Sequence, residues 1–164
     1  MLDKDNHVWA FEFNNGTRVT GWANLAYTYN GIRRVETYHF RNDGIMDYGW
    51  FKDESARWFY MSEVHDGFFG HLIRGWYKDN KDGKWYYLSP IDGHMHTGWN
   101  SIKNIWYFLS PENNVEPTWR YNESTNKWDY VGNSSVRPLG SMYENERTPD
   151  NYYVDGNGAW IEGR

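Results

Sequence analysis

Eleven tryptophans dominate the chemistry this chain can offer. Four follow a glycine, at Trp22, Trp50, Trp76 and Trp99, and Trp119 follows Thr118 in the same phase. A second tryptophan stands seven to nine residues after the last four of these, as Trp58, Trp85, Trp106 and Trp128. Ring faces combine apolar surface with a negative quadrupole, so their chemistry is the holding of ligands rather than the breaking of bonds. The reactive side chains are arranged less suggestively. His65, His71, His94 and His96 have no carboxylate at a familiar ligand spacing, and no HEXXH motif occurs, so they read as surface histidines. Asp79, Asp82 and Asp92 belong to turns. A calcium loop ending its sharp turn at Gly83 would need a ligand at Lys78, which cannot serve. Neither GxSxG nor a Walker sequence is present. No catalysis, metal or cofactor is expected.

The elements that must carry these rings follow from composition. The chain has 164 residues, 20% of them aromatic, yet a mean hydropathy of −0.94. Cores are ordinarily built from Leu, Ile, Val and Ala; here those residues are scattered singly in a background of Gly, Asn, Asp and Ser that favours tight turns. The net charge of −5 argues against nucleic-acid binding through phosphates and weakly favours cationic ligands. No run of 18 apolar residues occurs, so no membrane span is expected. The first residues, MLDKDNHVWAF, have neither the basic nor the apolar region of a signal peptide. Cysteine is absent, which excludes disulfides and thiolate metal sites.

The tryptophans mark a repeat. Successive Gly-Trp positions lie 28, 26, 23 and 20 residues apart. After each comes a polar turn and an aromatic block: TYHF (37–40), WFYM (58–61), WYYL (85–88), WYFL (106–109) and WDYV (128–131). Aromatic residues favour strands, and Asp82-Gly83 gives a turn signal between two of them. Asp43-Gly44, Asp66-Gly67 and Asp92-Gly93 mark links to the next unit. No window has a sustained helical period. The expected fold is all-β, a solenoid of stacked β-hairpins with five to six irregular repeats. Its boundaries run 1–20 for a partial repeat, then 21–48, 49–74, 75–97, 98–117 and 118–131 for hairpins, with 132–164 as a C-terminal cap. One linear array, 1–164, is expected rather than several domains.

The 75–99 segment, with GW, WYYL, GxM and TGW in order, strongly resembles the choline-binding (cell-wall-binding) repeats of Gram-positive surface proteins and phage lysins. SMYENERTPDNYYVDGNGAW is similar to the closing segment of such modules. The resemblance covers nearly the whole chain and is most specific over 75–109. It implies a left-handed superhelix of hairpins that binds choline between consecutive repeats, with no catalytic domain. Choline, a quaternary ammonium, offers no N–H and is held by its charge and methyl shell, which a box of rings supplies. Carried over by position, one box is Trp76, Trp85 and Trp106, with Met95 as a soft floor. The second is Trp99, Trp106 and Trp128, and the third Trp50, Trp58 and Trp85. Trp119 and Trp128 form a fourth with Tyr152 or Tyr153. Trp85 to Trp106 spans 21 residues and Trp106 to Trp128 spans 22, close to the family's unit, whereas Trp58 to Trp85 spans 27 and points to an insertion around 62–72. Thr37 takes the tryptophan position of its block, a departure that bears on any Trp22 pocket. Trp9 and Trp160 fall in terminal units, which cap. Tyr87, Leu88, Ile102, Phe108 and Leu109 are assigned to the core, with Tyr87 on the strand face opposite Trp85.

The resemblance implies a module attached to phosphocholine on teichoic acids at an extracellular, bacterial cell surface, with dimerisation left open. Two other readings stand beside it: a glucan-binding repeat module, and a structural or protein-interaction scaffold whose pockets have decayed. Tryptophans paired at seven to nine residues favour a cage over a single stacking platform.

Overall fold

Short aromatic strands punctuated by Asx turns and left-handed glycines close locally into hairpins, and the computed structural model is built of them. It describes residues 2–3, 8–110, 118–132 and 140–163. Its strands are β1 (Leu2–Asp3), β2 (Val8–Trp9), β3 (Gly21–Tyr29), β4 (Ile32–Phe40), β5 (Gly49–Lys52), β6 (Trp58–Met61), β7 (Gly75–Lys78), β8 (Trp85–Leu88), β9 (Gly98–Ile102), β10 (Ile105–Leu109), β11 (Thr118–Asn122), β12 (Lys127–Gly132) and β13 (Ser141–Met142). No helix occurs among the described residues. The all-β solenoid of repeated hairpins expected from the sequence is what is observed. Chain contacts divide it into two units, Met1–Met95 and His96–Arg164.

In the first unit β3–β4, β5–β6 and β7–β8 are separate antiparallel pairs. The longest, β3–β4, turns on Asn30 and Gly31, with φ of 47° and 78°, the two left-handed residues of a type I′ turn. Each Gly-Trp glycine is left-handed too; Gly75 has φ 79° and open space around the missing Cβ, so backbone conformation rather than crowding requires it.

Register decides which rings face together. In β7–β8, Trp76 lies opposite Tyr87 and Lys78 opposite Trp85. Tyr77 and Tyr86 therefore point the other way, and Tyr86 and Leu88 are buried. The expectation that Tyr87 and Trp85 take opposite faces is corrected here. Two residues apart on a strand they share a face, and the ring sent inward is Tyr86. The same positions recur as Phe59 and Met61, both buried, in β6. Full burial of such a side chain stabilises by about 1.5–3 kcal/mol, so each repeat contributes a small core of its own.

A main-chain stitch joins consecutive hairpins. After each block one link residue bridges back to the block's last residue: Met46 to Phe40, Leu72 to Met61, Met95 to Leu88. The same link residue donates its N–H to the carbonyl of the preceding block's first position. Met46 donates to Trp9 (2.7 Å), Leu72 to Thr37 (2.8 Å) and Met95 to Trp58 (2.7 Å). The link glycine of the next turn packs on this residue; a Cβ on Gly93 would stand 2.7 Å from Leu72.

The expected insertion is real and has a partner. The 62–72 link is longer than its counterparts, and it sends Phe68 into contact with Tyr27 (5.1 Å between ring centroids) and beneath the Arg34 guanidinium (4.4 Å). These contacts use the extra length of β3–β4, so the two departures from the repeat compensate each other.

In the second unit β13 inserts between hairpins to give the strand order β11-β12-β13-β10-β9. Tyr130, Tyr143 and Val154 form its buried cluster, with Trp119 packed against them. The closing segment continues through bridges from Arg147 to Tyr153 and from Val154 to Trp160.

Candidate functional site

Each Gly-Trp ring packs on the residue directly across its hairpin. The centroid distances are 4.8 Å for Trp22–His39, 5.1 Å for Trp50–Tyr60, 5.0 Å for Trp76–Tyr87, 5.2 Å for Trp99–Phe108 and 5.3 Å for Trp119–Tyr130. In the first unit the following hairpin covers part of this ring: Trp22 meets Phe51 and Phe59, and Trp50 meets Tyr77 and Tyr86. The block tryptophans stand outside that packing. Trp58, Trp85, Trp106 and Trp128 are 40%, 46%, 42% and 53% exposed, although the next residue of each block is buried. Large rings left this open are available to a ligand.

The surroundings of the expected box residues differ from one to the next. Trp76 and Trp85 meet diagonally across β7–β8, 6.5 Å apart at an interplanar angle of 83°, two walls at a right angle. Trp106, which the resemblance adds to that pair, belongs to the second unit. Trp50 donates its indole N–H to the buried Asp79 carboxylate at 2.7 Å and packs on Tyr86, the neighbour of Trp85. Trp58 faces Lys52, whose ammonium lies 5.7 Å from the ring centroid. Met95 acts through its backbone, in the stitch to Leu88 and Trp58, and its side chain is half-buried. Trp99 keeps a buried indole N–H with no hydrogen-bond partner, and its neighbour Phe108 carries the Arg120 guanidinium at 4.9 Å.

A pocket that gathers several of the expected rings lies in the second unit. Trp119, Trp128, Tyr152, Trp160 and Asp150 line a pocket of about 380 Å³. Tyr152 stands edge-on to Trp119 and to Trp160, 5.9 Å from each, at 80° and 90°. Trp128 is held on its open side by Tyr121, its partner across β11–β12 (5.5 Å). The Trp160 N–H reaches the Trp128 carbonyl at 3.3 Å, the counterpart of the stitch in the first unit. Asp150 is fixed by the Trp119 indole N–H at 2.8 Å and by the Thr148 hydroxyl. Partial burial works to raise its pKa, but those two hydrogen bonds outweigh it and hold the carboxyl below its ordinary value. At neutral pH the pocket is thus a box of four rings with a negative charge in its wall. Trp119, Trp128 and Tyr152 were brought together by sequence position. Trp160, read as a cap, and Asp150 were not; the signal for Trp160 was its place one unit beyond Trp128.

Cation-on-ring contacts recur within the molecule itself, at Lys52–Trp58, Arg57–Phe59 and Arg120–Phe108. Among the described residues no group of three His, Cys, Asp or Glu side chains could hold a metal ion, and no helix is long and apolar enough to cross a membrane.

No family model and no curated protein matches the sequence. Solved structures do. Choline binding protein F from Streptococcus pneumoniae, in the presence of a peptidoglycan analogue, is 28% identical, with a TM-score of 0.70 over 96% of this chain and 45% of that one. A second crystal form of the same protein gives 27% identity and a TM-score of 0.71, over 99% and 47%. CbpJ from Streptococcus pneumoniae is 26% identical, with a TM-score of 0.68 over 96% and 46%. This chain spans a little under half the length of each of these structures. The resemblance to choline-binding repeats read from the sequence is borne out by this likeness.

Proposed function

We propose that the chain is a noncatalytic cell-wall-binding module whose aromatic cages take choline or phosphocholine carried by teichoic acids at the surface of a Gram-positive cell. The pocket of Trp119, Trp128, Tyr152 and Trp160, with ionised Asp150 in its wall, carries this reading. A quaternary ammonium needs what that pocket offers: several ring faces at once, a negative field, and no demand for a directional hydrogen bond. A sugar needs stacking together with hydrogen bonds to its hydroxyls, and Tyr152 standing edge-on to Trp119 and Trp160 leaves it little flat platform. The likeness to choline-binding proteins supports the same ligand class. In this reading the pair Trp76–Trp85 belongs to a further cage. Trp99 with Trp106 and Trp128, and Trp50 with Trp58 and Trp85, make the others, and Met95 supplies a floor.

Calorimetric titration with choline against an isomaltose-type oligosaccharide tests the proposal. Choline should bind with a Kd on the order of millimolar, since cation–π contacts contribute about 0.5–2 kcal/mol each and the ligand has few atoms. The oligosaccharide should give no heat of binding. The opposite pattern would assign the rings to a glucan.

A further inference from the structure

Where Thr37 takes the place of a block tryptophan, polar and charged side chains gather around the Gly-Trp ring. Trp22, Asn24, Thr37, Arg57, Arg74 and Asp92 line a pocket of about 340 Å³ in the first unit. The Thr37 hydroxyl donates to the Asn24 side-chain oxygen at 2.8 Å and accepts from the Arg74 guanidinium at 3.0 Å. Arg74 is itself a departure from the repeat. The residues before the other Gly-Trp and Thr-Trp pairs are Thr20, Tyr48, Thr97 and Pro117, none of them charged. A further arginine stands on the same side of the hairpin. Across β3–β4 the pairs Trp22–His39, Asn24–Thr37, Ala26–Val35 and Thr28–Arg33 share one face, which puts Arg33 four residues beyond Thr37, about 13 Å along the strand. Residues 8–95 contain six arginines. Four of them meet carboxylates: Arg18 with Glu12, Arg34 with Glu36, Arg41 with Asp47, and Arg57 with Asp53 and Asp92. Arg33 and Arg74 are the other two, and no carboxylate among the described residues lies within ion-pair distance of either.

We propose that this face of β3–β4 binds the oxyanion groups, phosphate or carboxylate, of an anionic chain polymer, one group on Arg74 at the Trp22 pocket and another on Arg33, independently of the cages. A guanidinium presents its N–H groups in a planar fork that matches such oxygens in pairs. Arg74 spends one nitrogen on the neutral Thr37 hydroxyl, which orients it and leaves its charge unanswered. Asp92 is the one carboxylate in the pocket lining. Both of its oxygens are engaged, one by Arg57 at 3.3 Å and the other by the His94 ring at 2.7 Å. On a chain of net charge −5, two unanswered cations on one face are a local reversal of sign. Between them on that face lie Ala26 and Val35, which carry no charge to oppose an anion. The distance between the two positions is one that a chain with recurring acidic groups covers and a single small anion does not. The same guanidinium repels a quaternary ammonium, so exchange of tryptophan for Thr37 turns a position that holds cations in other repeats toward the opposite charge.

The test is calorimetric titration of the full chain with medium-chain inorganic polyphosphate and with an oligogalacturonate. At low ionic strength at least one of them should bind saturably, the tighter of the two naming phosphate or carboxylate as the group recognised, and added salt should weaken it. Arg74→Gln and Arg33→Gln should each lower that affinity about three- to fivefold, the size of one exposed charge pair. The double variant should lower it by about the product of the two. Arg18→Gln removes the same charge outside β3–β4, from an arginine that Glu12 already pairs, and should leave binding unchanged. All of these variants should melt with the wild type, since the substitutions lie at the surface, and choline at matched ionic strength should not displace the polyanion. Absence of binding to both polyanions, an equal loss in Arg18→Gln, or displacement by choline would each overturn the proposal.

Discussion

Asp129 occupies the second position of its block, where other repeats bury Phe59, Tyr86 or Tyr107. It is 1% exposed; Asn122 donates to one carboxylate oxygen at 2.8 Å and the other has no partner. Burial raises its pKa above the ordinary 3.8, against the Asn122 hydrogen bond. The folded state therefore holds this proton more tightly than the unfolded state. Its penalty is absent where both states are protonated and grows as pH rises from the unfolded pKa through the folded one. Asp129→Asn should accordingly raise the melting temperature at pH about 7 and leave it nearly unchanged at pH about 3, as calorimetric scans at the two values would show. On the open face the expectation is reversed. Trp128→Ala should lower choline affinity at its cage by up to about tenfold, while stability stays within about 0.5 kcal/mol, since the ring is 53% exposed. The exposed ring positions of the repeat were legible wherever the Gly-Trp phase survives. Asp150 was not, because an aspartate in a turn and an aspartate in a pocket wall are the same letter; only the approach of the Trp119 indole separates them.

Hairpins were easy to read from the sequence, and their faces were not. Aromatic residues at three consecutive block positions leave no polar–apolar alternation to show which ring goes inward, and Trp85, Tyr86 and Tyr87 were sorted only by register against β7. Tyr86→Ala should therefore cost about 3–5 kcal/mol, measured by urea denaturation of the ligand-free protein, whereas Trp85→Ala should cost far less and weaken choline binding. Equal losses from the two would return Trp85 to the core. The β5–β6 turn holds a second test. Ala56 has φ 62°, where the β7–β8 turn uses Gly83 at φ 73°. Ala56→Gly should stabilise by about 0.5 kcal/mol, the left-handed strain relieved less the added freedom of the unfolded chain. The long first periods were legible as an insertion, but its packing was not: the extra residues of β3–β4 and of the 62–72 link meet through Tyr27 and Phe68.

At the scale of the molecule, the proposed function has several weak cages on one chain acting together. A polymer bearing many phosphocholines should be held far more tightly than free choline, through effective concentration rather than any new contact. Protein bound to a choline-bearing wall or resin should be released by excess free choline and retained in glucose at the same concentration. Release by both, or by neither, would show that the cages are not what holds it. Free choline should also raise the melting temperature in proportion to cage occupancy. The stitch between hairpins bears on how such a protein acquires its ligands. The Met46, Leu72 and Met95 N–H groups grip the carbonyls of Trp9, Thr37 and Trp58, and the bond at Thr37, 2.8 Å, is nearly as short as the 2.7 Å at the tryptophans. A peptide carbonyl is common to all amino acids, so the side chain above it is free to change without loosening the array. Specificity can therefore drift one repeat at a time on a scaffold that does not notice, and a chain of this kind can carry working, altered and silent pockets side by side.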